Sequence, residues 1–338
     1  MRNLNEGILE TIGNTPLIRL HRGISGCTFN LFAKLEGFNP GGSIKDRAAH
    51  AIISNAIDQG KIKDGTTIVE SSSGNMGLGL AQICRYLGLR FICVIDPKTT
   101  AANVRLLLAF GAEVDLVSRP DPVTGEFLNA RLNRVRELMG KIPNAYWPDQ
   151  YSNVHNARAH HQTMCEIDTA LGGRVDYLFC PTSTCGTLRG CAEYIRSNLK
   201  GRTHVIAVDA VGSVIFGGPA KKRLIAGHGA AVRPALYQDG LVDTVIQIED
   251  LDCVVGCRRL LAREGLLVGG SSGGTLMAVE YHRELIPKDA NCVVIFPDRG
   301  DRYLDTIFSD EWVESHFGEE VRGSISEIAI EAIEALPR

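Results

Sequence analysis

Residues 66–96 read TTIVESSSGNMGLGLAQICRYLGLRFICVID. The stretch opens on a β-branched run (66–71) and turns through Ser, Gly and Asn. It continues with apolar residues at helical spacing over 76–88 and closes on a second apolar run over 90–96. Strand, helix and strand in this order predict a βαβ unit with parallel strands. Moving outward, the same rhythm gives a helix over 103–111, a strand over 113–118 and a helix over 126–140. A second set follows: a strand over 175–181, a helix over 188–198 and a strand over 204–210. Helices over 251–265 and 273–285 and a strand over 291–300 complete it. The segment YWPDQYSN (146–153) lies between the sets and reads as a crossing. The fold class is therefore α/β, as two three-layer αβα domains with mainly parallel sheets. The expected boundaries are 40–148 for a smaller domain, 1–39 with 149–320 for a larger one, and 321–338 for a weakly helical peripheral tail.

The chain has 338 residues, 44% hydrophobic and 22% charged, which suits globular domains with filled cores. A formal net charge of −3 gives no bulk attraction to nucleic acid or to an anionic membrane. No run of 18 apolar residues is present, and the opening MRNLNEGILETIGNTPLIRL lacks a signal-peptide pattern. A cytoplasmic location is expected. The ten cysteines include no C-x-x-C pair. Cys253 and Cys257 share helical spacing, but no second pair completes a zinc set. Reduced, buried thiols and no metal are expected.

Three polar, glycine-bearing segments fall at strand-to-helix junctions, where α/β proteins place ligands, and a fourth lies at a helix start. In Asn39-Pro40-Gly41-Gly42-Ser43-Ile44-Lys45-Asp46-Arg47 a helix starts near Ser43, with Lys45 in its first turn. A cation there opposes the helix dipole. Lys45 reads either as an exposed lysine at a helix start or as one placed for use. The turn Ser71-Ser72-Ser73-Gly74-Asn75 offers backbone N–H groups to an anion, or is a capped helix start. Its G-x-x-G-x-G order fails the dinucleotide fingerprint. Pro181-Thr182-Ser183-Thr184-Cys185-Gly186-Thr187 brings hydroxyls and free N–H groups to a helix start, a phosphate cradle without a P-loop lysine. Gly269-Gly270-Ser271-Ser272-Gly273-Gly274 opens the last such helix.

AKLEGFNPGGSIKDR, SSSGN, STCGTLRG and LLVGGSSGG occur in the order seen in fold-type II pyridoxal-phosphate (PLP) enzymes, the tryptophan synthase β-like fold. The chain resembles the cysteine synthase and cystathionine β-synthase family over nearly all of residues 5–310, and TIGNTPLIRL (11–20) looks like that family's opening motif. The resemblance implies PLP as cofactor, with Lys45 holding it as a Schiff base and Asn75 facing its O3′. It implies that Ser183, Thr184, Cys185, Gly186 and Thr187 hold the phosphate and that Ser271 faces the pyridine nitrogen. Ser72, Ser73, Gly74 and Asn75 would take the substrate carboxylate, beside Gln150. It also implies a cytoplasmic homodimer, small amino-acid substrates and a mobile smaller domain.

The chain departs from ordinary cysteine synthases in two places. Ser72-Ser73 replaces the usual Thr-Ser, and Ser183-Thr184-Cys185-Gly186-Thr187 replaces G-T-G-G-T. With Arg131, Arg134 and Tyr151 these features look like the siderophore-precursor branch. That branch joins O-phospho-L-serine to L-glutamate on the way to 2,3-diaminopropionate. A phosphate leaving group or a dicarboxylate needs more positive charge than sulfide does, and Arg131 supplies it bidentately. Arg131 reads equally as part of a solvated helix face, and Tyr151 as core. The alternative activity is cysteine synthase, using O-acetylserine or O-phosphoserine with sulfide. His160-His161 reads as structural, on an exposed-looking helix. His228 lies in a loop resembling one that closes near the family's active site.

Overall fold

A computed structural model describes residues 5–123, 125–199 and 203–319. The tail expected beyond residue 320 lies outside them. Two units emerge, one comprising the stretch up to Gly13 with Asn39–Ala159, the other Asn14–Phe38 with the chain from His160 onward. The larger unit opens with β1 (Leu17–Arg19), antiparallel to β2 (Asn30–Leu35). The smaller follows as α1 (Lys45–Asp58), β3 (Thr67–Ser71), α2 (Asn75–Leu87), β4 (Arg90–Ile95), α3 (Ala101–Ala109), β5 (Glu113–Leu116), α4 (Phe127–Lys141) and β6 (Ala145–Tyr146). After α5 (Val154–Ala170) come β7 (Tyr177–Pro181), α6 (Gly186–Asn198), β8 (His204–Ala210), β9 (Thr244–Ile248), α7 (Asp250–Glu264), α8 (Gly270–His282), β10 (Asn291–Phe296) and α9 (Asp310–Phe317).

In the smaller unit the strands run β5-β4-β3-β6, all parallel. Every residue of β3 is buried, and β4 is buried from Phe91 onward, as expected of parallel strands covered on both faces. Ile52, Ile53, Ile68, Leu80, Ile83 and Cys93 form one core face. Val69, Ile92, Val94, Val135 and Leu138 form the other, beneath α4. Leu9 packs on the first of these cores, which explains why the N-terminal stretch goes with this unit and not with 14–38. Residues 149–159 also go with it. Gln150 N–H donates to Glu70, and Asn156 Nδ2 donates to the Gln150 carbonyl at 2.8 Å.

In the larger unit the order is β1-β2-β10-β7-β8-β9, parallel except at β1. Its centre is apolar apart from Asn291: all six residues of β10 are buried, with Phe179 and Val208 in the same core. Helices α7 and α8 cross backbone to backbone. A Cβ on Gly273 would lie 2.1 Å from the Cys253 carbonyl oxygen, and one on Gly256 2.2 Å from the Gly273 carbonyl oxygen. Only glycine permits this approach. The alternating segments of the sequence appear close to where they were read. The β1–β2 pair, β9 and α9 were not read, and α5 was read only around His160-His161. Among the described residues no helix is long and apolar enough to cross a membrane.

Candidate active site

In the smaller unit the junction of β3 and α2 forms a knit loop. Ser72 Oγ accepts from Gly77 N–H at 2.9 Å, which secures the start of α2. Cys93 Sγ donates to the Ser72 carbonyl at 3.1 Å from behind. Asn103 Nδ2, from the next helix, donates to the Ser73 carbonyl at 3.1 Å. Ser73, Gly74 and Asn75 are left half-buried at the helix start, and Asn75 is its first residue. Helix α1 begins at Lys45 itself, not two residues earlier, and Lys45 is half-buried. Gly41 N–H donates to Asp46 Oδ2 at 2.6 Å, closing the Pro-Gly-Gly turn ahead of the lysine. A Cβ on Gly79 would lie 3.4 Å from Asp46 Cα. Gly79 is one turn beyond Asn75, so the starts of α1 and α2, and with them Lys45 and Asn75, are neighbours.

Gln150 reaches the same loop, its Nε2 donating to the Ser71 carbonyl at 3.2 Å. Its backbone N–H donates to Glu70 Oε2 at 3.3 Å, while Trp147 Nε1 and Ser71 N–H donate to Glu70 Oε1 at 3.2 and 2.7 Å. Glu70 is fully buried. Desolvation pushes its carboxyl up to about 7 despite these donors, and Asp149 raises it further. Arg131 turns inward from α4 at 7% exposure, so it is not on a solvated face. Its Nε lies 3.1 Å from Asp96 Oδ2 at the end of β4, close enough for an ion pair but without hydrogen-bond alignment. Tyr151 is half-buried. Burial raises its phenol, while the nearby Arg131 lowers it and Glu70 raises it. Ser72 to Asn75, Gln150, Tyr151 and Arg131 thus gather around the C-terminal ends of β3 and β4. Arg134, by contrast, pairs with Asp115 at 2.8 Å and Glu137 at 2.8 Å near the surface.

In the larger unit the loop between β7 and α6 carries the hydroxyls of Ser183 and Thr184, and the first turn of α6 that of Thr187. Cys185, the residue before α6, adopts φ 63°, a left-handed conformation rare outside glycine. Its buried side chain packs with Ile215 and Leu236. Gly186 N–H approaches Thr184 Oγ1 at 3.4 Å. Thr187 Oγ1 meets His160 Nε2 at 3.3 Å. His160 is fully buried in α5, which corrects its expected exposure; His161 points outward to Glu193, with Nε2 at 3.0 Å from Oε2. Ser271, at 6% exposure, sits in the first turn of α8, and the neighbouring Ser272 Oγ is buried without a hydrogen-bond partner among the described residues. His228 is buried, and among the described residues neither ring nitrogen has a hydrogen-bond partner. Its Nε2 lies 3.6 Å from where a Cβ on Gly274 would be. Burial, then the charge of Arg223, holds its imidazole down to about 4, hence neutral. Arg223 Nη1 donates to the His228 carbonyl at 2.9 Å.

The donor chemistry at the start of α6 fits a phosphate monoester: three hydroxyls on five consecutive residues, main-chain N–H groups, and a helix dipole of the right sign. A buried serine at the start of α8 fits a ring nitrogen that is not protonated. Glu70, Asp96 and Trp147 escaped the reading of the sequence. Glu70 had a local signal, as a lone carboxylate at the end of a β-branched run; the rest act through contacts distant in sequence.

Residues 8–298 match the family model described as pyridoxal-phosphate dependent enzyme. The chain is 42% identical over 322 residues to an N-(2-amino-2-carboxyethyl)-L-glutamate synthase of Ralstonia nicotianae, covering 95% of each chain. Among solved structures, it is similar to an O-acetylserine dependent cystathionine β-synthase from Helicobacter pylori. The TM-score is 0.83 and the identity 30%, over 90% of this chain and 98% of that one. It is also similar to a cysteine synthase from Entamoeba histolytica, with a TM-score of 0.85 and 29% identity, over 99% of this chain and 97% of that one.

Proposed function

The chain belongs to the pyridoxal-phosphate dependent enzyme family, and from that premise we propose that it joins O-phospho-L-serine to L-glutamate, releasing phosphate and forming N-(2-amino-2-carboxyethyl)-L-glutamate. The observation that carries this reading is the likeness, along 95% of both chains, to a synthase named for that product. The inward turn of Arg131 beside the Ser72–Asn75 loop supports it, because both substrates bring extra negative charge. In this reading the reaction is a precursor step to 2,3-diaminopropionate in siderophore biosynthesis, carried out by a cytoplasmic homodimer.

Lys45, Asn75, the 183–187 loop and Ser271 are the residues to hold PLP. When bound, the cofactor supplies an electron sink for the pair left as the substrate α-proton departs. Lys45 Nζ is the base that takes this proton from Cα and later returns it. The N–H groups of Ser73 to Asn75 and the free part of the Gln150 amide orient the α-carboxylate. Gln150 is held for this by its bonds to Ser71 and Glu70. Ser271 O–H donates to the ring nitrogen and leaves it unprotonated. That suits replacement at the β-carbon, where charge on the α-carbon is short-lived. Arg131 receives the negative charge of the phosphate or of the glutamate side chain.

The test is incubation with O-phospho-L-serine plus glutamate, and separately plus sulfide, followed by mass analysis. A glutamate adduct is expected. Cysteine with sulfide and no adduct with glutamate would transfer the assignment to cysteine synthase.

A further inference from the structure

His160 spans two hydroxyls from the middle of α5. Its Nδ1 is 3.2 Å from Thr163 Oγ1 and its Nε2 is 3.3 Å from Thr187 Oγ1. His160 and Thr163 are completely buried and Thr187 is 8% exposed, so water does not replace these bonds. Among the described residues, these are the side-chain hydrogen bonds that the two hydroxyls make. Cys191 Sγ, one turn beyond Thr187 on α6, donates to the His160 carbonyl at 3.7 Å and fixes the two helices against each other at this point.

A neutral imidazole has one donor and one acceptor nitrogen, so the chain of three groups has two arrangements. In the first, Nδ1–H donates to Thr163 and Nε2 accepts the Thr187 proton. Thr187 then offers only lone pairs to its surroundings, which repel an anion. In the second, Thr163 O–H donates to Nδ1 and Nε2–H donates to Thr187 Oγ1. The Thr187 proton is then released for another acceptor. Only the second arrangement makes Thr187 a donor to a phosphate oxygen.

We propose that His160 is a positioning residue: as the Nε2–H tautomer it donates to Thr187 Oγ1, so that the Thr187 hydroxyl gives its own proton to the cofactor phosphate. The inference rests on the reading that the 183–187 loop holds that phosphate. It assigns a task to a histidine that touches neither cofactor nor substrate.

The experiment titrates apoprotein with PLP and, separately, with pyridoxal, which lacks the phosphate. His160→Phe keeps the ring volume and removes the donor; His160→Gln keeps an N–H donor. A hydrogen bond to a charged group sets the expected size: His160→Phe binds PLP about 10- to 100-fold more weakly and pyridoxal unchanged, and His160→Gln recovers most of the loss. In ¹⁵N-histidine spectra of the PLP-saturated wild type, the resonances that disappear in His160→Gln are expected to show a protonated Nε2. Equal weakening of PLP and pyridoxal in His160→Phe would mean packing alone and overturn the proposal, as would no weakening of either. A protonated Nδ1 in the saturated wild type overturns it too, and that measurement needs only His160→Gln to fold, not to bind. Ser183→Ala and Thr184→Ala judge the loop itself. If neither weakens PLP more than pyridoxal, the phosphate reading fails, whatever His160 does.

Discussion

The loops after β3 and after β7 are the same local device, a parallel strand delivering a polar turn to a helix start, yet they are supported in opposite ways. Behind Ser71–Asn75 stands a titratable group, Glu70, which takes N–H donors from Ser71, Trp147 and Gln150, with the Arg131–Asp96 pair nearby. Behind Ser183–Thr187 stands an imidazole between two hydroxyls, and a left-handed cysteine wedged into an apolar cluster. The first support gathers charge around the place proposed for the substrate; the second organises neutral donors around the place proposed for a permanent guest. The contrast teaches that one turn geometry serves a transient or a resident ligand according to what lies behind it.

The largest effect is expected at the lysine proposed to hold the cofactor. Lys45→Ala is expected to lower turnover by at least about 10³-fold, through loss of the proton-transferring amine, and to remove the visible absorbance of the lysine-bound cofactor. A variant that keeps either shows that a different lysine does the work. Arg131→Ala comes next. It strands Asp96 in a buried site, so a stability loss of about 3 kcal/mol is expected in urea titration. Use of phosphoserine or glutamate falls about tenfold or more, while PLP affinity holds. Equal losses of substrate use and PLP affinity would erase the division of labour between the loops.

Glu70→Gln sharpens the comparison through pH. The folded chain keeps the Glu70 proton up to about pH 7, whereas the unfolded chain releases it at the ordinary value of 4.5. The folded state therefore binds more protons across this window, and Glu70 costs stability as pH rises through it, by about 3 kcal/mol at full extent. The variant lacks this titration, so its stability relative to wild type is expected to improve between about pH 5 and about pH 8. It also disturbs the acceptor for Gln150 N–H, so the KM for amino-acid substrate rises without a change in PLP affinity. A stability difference that is flat with pH removes the titration. The smallest effect is expected from Cys185→Gly. Relief of the left-handed backbone, about 1 kcal/mol, offsets lost packing on Ile215 and Leu236, leaving Tm nearly unchanged. A large drop in Tm would show that the wedge, not the hydroxyl set, shapes the second loop.

Much of the fold was legible because buried parallel strands spell themselves out: IV (68–69), FICVI and CVVIF are apolar on both faces and need no partner to be recognised. β9 was not legible. Its first four residues alternate between half-buried and exposed, and it joins the sheet edge after a long irregular stretch. Of the site, the junction motifs were legible because glycine and hydroxyl residues cluster there. Which way α4 turns was not, since Arg131 and Arg134 are both arginines on one polar helix. Only Asp96, far away in sequence, distinguishes the inward one. The His160-His161 doublet hid its meaning for the same reason. Adjacent helical residues face different ways, and the partner of the inner one lies on α6.

The contact of Gly256 with Gly273 has a consequence for anyone reshaping this enzyme. Ser271 is two residues from Gly273, so its height above the sheet is set by how deeply α8 nests in α7. Adding a single methyl group at either glycine would jack up the platform that carries the hydroxyl proposed to face the cofactor ring. Libraries aimed at new chemistry should leave that pair untouched and draw their diversity from α4 and the stretch after β6.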